Sequence, residues 1–330
     1  MEEIIKQGLI LSILSLGVFT SFKIIDIPDL TTDGSYVIGG AITVLLLHNN
    51  IYWLIALIIG GLIAGFSGFI TGLIHTKTRI NPLLASILVM IMLYSINIRI
   101  MNGPNMSLPK VSEESSISLS GTKLDFLLDN NENNILLGEK SKNIFINPFA
   151  ENALLKLSIF VFIIFLLYYL FLKTELGTLL RAFGTNKHGV LSLGVNPNIL
   201  SVLGLTIGNF LSGISGGLFS MYAGFVDVNM GQGMLVTGLA AVILGEIIFK
   251  KDFLFKIPAP LIGGILYQIV ISLVIKYGYN IGFKASDLKM ATALFIIIVI
   301  ATRNMEVKKW LNSKISLSFT TKEKVMKKLA

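Results

Sequence analysis

Residues 51–74 read I-Y-W-L-I-A-L-I-I-G-G-L-I-A-G-F-S-G-F-I-T-G-L-I, a run without a single charge. A helix of this length rises about 36 Å, more than the roughly 30 Å of a bilayer's hydrocarbon core, which needs about 20 apolar residues. Seven further runs of this kind flank it: Ile4–Ile25, Pro82–Met101, Ala153–Leu172, Ile199–Tyr222, Leu235–Phe249, Pro258–Tyr277 and Asp287–Thr302. Together they predict an all-α integral membrane protein of about eight transmembrane helices. Only 14% of the 330 residues are charged, against about 25% in soluble domains. The mean hydropathy of +0.77 is spread over the whole length, so the pattern is not one anchor on a soluble domain. The first run lacks a small-residue cleavage site and a strongly basic front, and reads as a retained helix rather than a secretory signal. With no cysteine, a disulfide framework, a zinc knuckle and a thiol nucleophile are all excluded.

A ninth apolar run, Tyr36–Leu47, holds 12 residues and is too short to cross. It follows the polar stretch Asp26–Ser35 directly, as re-entrant or interrupted helices do. A weak internal two-fold repeat accompanies it. A shift of 199 residues lays Asp33-Gly34 on Gln232-Gly233, Val37 on Val236, Gly39 on Gly238 and Ala41 on Ala240. Transporters commonly carry such duplications, with binding sites where the halves meet. Chance matching in an apolar sequence is the competing explanation.

Charge orients the chain. Seventeen of the 27 Lys and Arg fall in Lys6, the segments His75–Asn81, Lys173–Asn198 and Lys250–Ile257, and the tail 303–330. Under the positive-inside rule these face the cytoplasm, and eight crossings then put both termini there. In a chain this apolar, the basic tail reads as cytoplasmic rather than as a nucleic-acid arm. The segment 102–152 falls outside; between Gly103 and Ala150 it carries four Lys against six Asp and Glu. It reads as a solvated external loop, with a docking surface for another protein as the alternative. Were Tyr36–Leu47 to cross, the basic loops would stay inside only with Met1 outside. The expected organisation is therefore a polytopic transmembrane domain over 1–302 and a basic cytoplasmic tail over 303–330.

Close-packing signals recur as the Gly-xxx-Gly pairs Gly61/Gly65, Gly68/Gly72, Gly204/Gly208 and Gly213/Gly217. Two glycines four apart share a helix face and admit a neighbouring backbone; static packing and mobile helices around a pathway both fit. Enzyme readings fare poorly. Neither G-x-x-x-x-G-K-[ST] nor H-E-x-x-H occurs, so no nucleotide loop or zinc-protease helix is present. Gly213-Ile214-Ser215-Gly216-Gly217 matches G-x-S-x-G. A serine nucleophile would need a histidine base within reach, and His48, His75 and His188 all sit at helix ends or in loops. Glu246, with Lys250 one turn on, reads as a helix-end pair or as a functional charge. Asp29, Thr31, Thr32, Asp33, Gly34 and Ser35 precede the short run, where Asp33 or Ser35 can cap a helix. Its N-terminal N–H groups would suit a substrate carboxylate. Pathway lining and an ordinary capped turn at the outer surface both remain open.

Residues 175–194 read E-L-G-T-L-L-R-A-F-G-T-N-K-H-G-V-L-S-L-G. Apolar positions alternate with Arg181 and Lys187 and are punctuated by Gly184, Gly189 and Gly194, as in a short amphipathic helix seated in another protein's groove. From Leu180 to Asn196 the stretch resembles the cytoplasmic loop of the branched-chain amino acid and ribose type permeases of ABC importers, R-A-x-G-x-N-x-x-A-A-x-x-x-G-I-N. Gly208–Leu218, Gly233–Gly245 and Pro260–Leu266 resemble that family's small-residue helix and its A-x-x-A-A-V-L-G-G and P-x-x-G-G-x-x-x-G elements. Asp29–Ser35 resembles a subfamily associated with tryptophan and tyrosine. Gly189-Val190 stands where Ala-Ala is usual, and Glu246 where a second Gly is.

The resemblance implies a non-enzymatic transport subunit in a bacterial cytoplasmic membrane, without a cofactor or metal of its own. It implies a small polar solute, most readily an aromatic or branched-chain amino acid, and a second permease copy or paralogue. A cytoplasmic ATPase dimer would consume ATP and dock on the 173–198 loop through Arg181, Gly184, Asn186, Gly189 and Gly194. An extracytoplasmic binding protein would deliver solute. The expected path is Asp29, Thr31, Thr32, Asp33, Gly34 and Ser35 together with Gln232 and Gly233. The rival class is a stand-alone secondary carrier or channel, which would need buried acidic groups in mid-membrane for coupling ions.

Overall fold

The structure, a computed structural model, describes residues 1–109, 153–248 and 257–279, together with 290, 292–294 and 297. Met1–Leu266 forms one compact unit and Tyr267–Ala330 a second. Six described helices are long and apolar enough to cross a membrane. They are α1 (Glu2–Phe19) with the π-helical turn Thr20–Ile24 that continues it, α3 (Trp53–Thr78), α4 (Pro82–Met101), α5 (Ala153–Lys173), α8 (Pro197–Ala223) and α10 (Ala259–Tyr279). The all-helical membrane architecture is thus present. The count of eight is not reached among the described residues: the expected run Asp287–Thr302 lies largely outside them, as do residues 110–152, 249–256 and the tail 303–330. The run Leu235–Phe249 becomes α9 (Met234–Ile248), with 15 residues among those described. At 1.5 Å per residue that is about 22 Å, short of the hydrocarbon core.

The ninth run needs correction. Its helix, α2, spans Thr31–His48 and not Tyr36–Leu47. Eighteen residues rise about 27 Å, nearly a full crossing. The polar residues 31–35 enter the helix because neighbouring helices satisfy their side chains. Thr31 Oγ1 pairs with Thr71 Oγ1 of α3 at 2.7 Å, and Ser35 Oγ with Ser67 Oγ at 2.6 Å. A buried hydroxyl left alone would cost about 1–3 kcal/mol; paired, it becomes an interhelical pin.

Local sequence sets the other boundaries. Asn81-Pro82 and Asn196-Pro197 both place a capping amide before a first-turn proline. Asn81 Oδ1 accepts Leu83 N–H and Asn196 Oδ1 accepts Asn198 N–H, each at 2.9 Å. α8 ends on Gly224 in the left-handed region. There β2 (Phe225–Asp227) pairs antiparallel with β1 (Asn105–Ser107), Met106 opposite Val226. This two-stranded ribbon ties the C-terminal ends of α4 and α8 together.

α8 is the hub, packed against α1, α2 and α3. Backbone meets backbone there. A Cβ added at Gly39 of α2 would lie 2.3 Å from the Gly213 carbonyl oxygen, and one at Gly216 would lie 1.8 Å from that of Tyr36. The Gly-xxx-Gly pairs of α3 and α8 line these contacts: Gly68 faces Leu205 and Asn209, Gly72 faces Val202, and Gly208 faces Gly17 of α1. Ser215 is fully buried and donates to the Ile10 carbonyl at 2.8 Å. His48 and His75 bond instead to the carbonyls of Ser107 and Ile80. Ser215 is a packing residue without a histidine partner.

Candidate functional site: a half-open cavity at the break between α1 and α2

The chain leaves the π turn at Thr20–Ile24, passes Asp26 at φ 53° and re-enters helix at Thr31. π turns inside α-helices leave the backbone ladder locally loose and concentrate at functional sites. Within the break, the residues expected to line a path divide into two groups.

Asp29, Thr31, Thr32 and Ser35 face inward and are almost wholly inaccessible. Asp29 Oδ1 accepts Thr31 N–H at 2.9 Å and Oδ2 accepts from Asn209 Nδ2 of α8. Ser212 donates to the Thr32 carbonyl at 3.2 Å. These four residues hold α2 to α3 and α8 and are not among those lining the cavity that Asp33 and Gly34 share. Asp29 also takes the first N–H of α2.

Asp33 and Gly34 turn the other way and meet Gln232 and Gly233, the segment the repeat offset relates to them. The four share a cavity of about 490 Å³ with Val37, Val228, Gly231 and a face of α4. That volume lies within the usual range of small-molecule sites. The α4 contribution is Met90, Ile91, Tyr94 and Asn97, spaced as one helical face. Asp33 Oδ2 accepts Gly233 N–H at 2.9 Å and Oδ1 accepts Leu235 N–H at 2.8 Å. The carboxylate therefore caps α9 rather than its own helix, a favourable place for negative charge. Gly233, at φ 84°, permits the turn that aims its N–H there, a conformation that costs glycine nothing. Gln232 Nε2 is held by Asn229 Oδ1 at 2.9 Å.

Asn97 was not read from the sequence as a site residue. It is 1% exposed, and its Nδ2 donates to the Gly34 carbonyl at 3.3 Å. Its Oδ1 has no hydrogen-bond partner. A buried acceptor left unmet is uncommon, and this one belongs to a residue that lines the cavity. The signal was available: an amide inside the otherwise apolar 82–101 run, seven residues after Met90 and three after Tyr94.

The loop expected to meet an ATPase forms two helices, α6 (Glu175–Thr185) and α7 (Lys187–Ser192). Thr174 Oγ1 caps the first by accepting Gly177 N–H at 3.3 Å. Asn186, extended between them, caps the second by accepting Gly189 N–H at 3.0 Å. Leu180, Phe183 and Val190 are buried, while Leu191 and Leu193 are exposed. Arg181 donates to Thr178 Oγ1 at 3.1 Å, and Gly194 closes α7 at φ 79°. Gly184 departs from expectation. It presses on the π turn, where an added Cβ would lie 1.8 Å from the Ile24 carbonyl oxygen. It joins loop to bundle and is not on the outward face.

Glu246 also finds its place. Its Oε2 lies 3.1 Å from Lys23 Nζ, a mostly buried pair joining the π turn to the far end of α9. Lys250 lies outside the described residues. Reversing either charge, Lys23→Glu or Glu246→Lys, is expected to destabilise the detergent-purified protein by about 1–3 kcal/mol, below the 3–5 of fully buried pairs. The double reversal should recover most of that loss in thermal unfolding; simple additivity of the two losses would deny the contact.

A bundle of membrane-length helices with a polar-ended cavity at a helix break defines a membrane transport protein. Residues 1–301 match the family described as branched-chain amino acid transport system / permease component, and the chain belongs to that family. It is 38% identical over 326 residues to a tyrosine transport system permease protein of Clostridioides difficile (strain R20291), covering 98% of both chains. It is 33% identical over 307 residues to an uncharacterized protein of Rickettsia prowazekii (strain Madrid E), covering 92% of this chain and 97% of that one. No solved structure matches.

Proposed function

We propose that this chain is the membrane-spanning subunit of an ATP-driven importer for an aromatic amino acid, with tyrosine the first candidate. The cavity chemistry carries the reading. Asp33 is an anionic acceptor suited to a substrate ammonium, and Asn97 holds the Gly34 carbonyl beside it. Val37, Met90, Ile91, Tyr94 and Val228 offer an apolar wall for a ring, and Gln232 brings an amide for the carboxylate. The near full-length likeness to a tyrosine transport permease supports the same substrate class.

ATP would be hydrolysed by a separate pair of ATPase subunits gripping α6 and α7, with Arg181, Asn186, Gly189 and Gly194 shaping the outward face. A mechanical route from that face to the cavity can be traced through packed parts. Gly184 bears on the π turn, Lys23 ties that turn to Glu246 at one end of α9, and Asp33 holds the other end. Displacing α6 would then move α9 and with it Gly233 at the cavity. The basic loops put α6, α7 and the tail 303–330 on the cytoplasmic side. Met1 lies at the other end of α1 from the π turn that Gly184 touches, with Glu3 bonded to Tyr222 at the far end of α8, so the expectation of a cytoplasmic Met1 is corrected. A second permease copy and an external binding protein complete the proposed assembly.

Competition tests the substrate class. Uptake of labelled tyrosine by cells expressing the whole system is expected to fall with excess phenylalanine or tryptophan and to withstand excess ribose. Equal competition by ribose and indifference to aromatic amino acids would overturn the assignment.

A further inference from the structure

A second cavity, of about 410 Å³, lies along α5, away from the Asp33 site. Its walls are Phe162, Phe165, Leu166 and Tyr169 of α5 with Pro258 and Leu261 at the start of α10. From Phe162 to Tyr169 the helix rises about 10 Å, and the cavity follows that face of α5. On the α5 side the neighbouring exposed residues Ile159, Ile163, Leu167 and Leu170 are apolar. Interfaces between soluble proteins carry a polar rim; among the described residues the α5 side of this cavity shows none, as a surface turned to hydrocarbon does.

One end of the groove is charged. Lys173, the last residue of α5, holds its Nζ 4.6 Å from the centroid of the Tyr169 ring, which is itself part of the wall. Lys173 is exposed and forms no ion pair among the described residues. The positive-inside rule puts this helix end at the cytoplasmic interface. A slot lined mainly by hydrocarbon and aromatic carbon, with an ammonium next to the tyrosine at its interfacial end, has the chemistry of a phospholipid binding site. An acyl chain meets the groove, and an anionic headgroup meets the cation.

We propose that this groove is a specific site for an anionic phospholipid of the inner leaflet, with one acyl chain along Phe162–Tyr169 and the phosphate on Lys173. Because Thr174, the cap of α6, follows immediately, the headgroup would sit where the membrane-crossing helix passes into the cytoplasmic loop.

The chain has no cysteine, so Leu166→Cys supplies a unique attachment point for a fluorophore. The full-length protein would be placed in nanodiscs of phosphatidylcholine containing a minor share of phosphatidylglycerol, and in a matched set with brominated acyl chains. The probe is expected to be quenched by brominated phosphatidylglycerol more than by brominated phosphatidylcholine. Lipid retained on the purified protein should be enriched in phosphatidylglycerol over the supplied mixture. Lys173→Gln, a change at an exposed position, should lower that enrichment about five-fold, the usual effect of one basic residue near an anionic surface. Equal quenching by the two lipids, or enrichment unchanged in Lys173→Gln, would overturn the proposal. So would a groove covered by a second copy of the chain, seen as Leu166→Cys crosslinking between protomers with no quenching by either lipid.

Discussion

Valine in place of Gly216 is expected to eliminate the folded protein. Gly216 sits where α8 crosses α2, and a Cβ there would lie 1.8 Å from the Tyr36 carbonyl oxygen, with more of the Tyr36 backbone at 2.7 and 3.1 Å. These are main-chain atoms, so no rotamer change makes room. The helices must part by more than 1 Å. Parting them opens the Gly39–Gly213 contact and stretches the Ser212 bond to the Thr32 carbonyl. Overpacking a core costs typically 1–3 kcal/mol, sometimes more. A clash between two backbones at the hub, which no side-chain rearrangement relieves, lies beyond that range and is comparable with a total stability of about 5–15 kcal/mol. The readout is the monodisperse fraction after detergent extraction, expected to fall close to zero. Gly189→Ala is the control for folding. Its nearest neighbours are atoms of the Asn186 side chain at 3.3 Å or more, which can yield.

Replacing Asp33 is expected to have the largest effect on transport. Asp33→Ala strips the acceptors from Gly233 N–H and Leu235 N–H and removes the one carboxylate that the cavity wall holds among the described residues. Loss of a cap costs typically about 1 kcal/mol, which lowers protein level. Asp33→Asn separates the two roles: one acceptor remains while the charge goes. Hydrogen bonds to charged groups contribute about 1.5–3 kcal/mol, so uptake per folded molecule should fall at least about ten-fold. Selectivity among aromatic amino acids should weaken with it. If uptake per folded molecule and its solute preference are unchanged, Asp33 is the cap of α9 and nothing more.

These two residues mark the limits of what the sequence disclosed. The spans around 51–74, 82–101 and 199–222 were legible because length and lack of charge alone determine them. The glycines of α8 were legible as close-packing positions, but not which helix each would meet. The start of α2 was misplaced by five residues. Thr31 and Ser35 look like a polar linker until Thr71 and Ser67, far along the chain, are seen to pair with them. Asp33 was singled out as a charge at a helix start, yet the helix it caps begins some 200 residues later. Asn97 was passed over because a single amide in an apolar run carries little weight until the acceptor is seen buried and unmet. The π turn and the β-ribbon left no signal that periodicity could detect. Glu246 stood out as a departure from the family pattern, and Lys23 became its partner only through the three-dimensional meeting of α9 with the π turn. In each case local composition decided the element, while the partner came from tertiary contact.

The central claim, ATP-driven import of an aromatic amino acid through this chain, is tested most directly by reconstitution. The permease would be placed in proteoliposomes with its ATPase subunits, ATP enclosed, and its binding protein and labelled tyrosine added outside. The account predicts accumulation against a gradient that requires hydrolysable ATP and all three components, and that is lost with Asp33→Asn at equal protein content. Accumulation by the chain alone, driven by an ion gradient and indifferent to ATP, would contradict it and point instead to a stand-alone carrier.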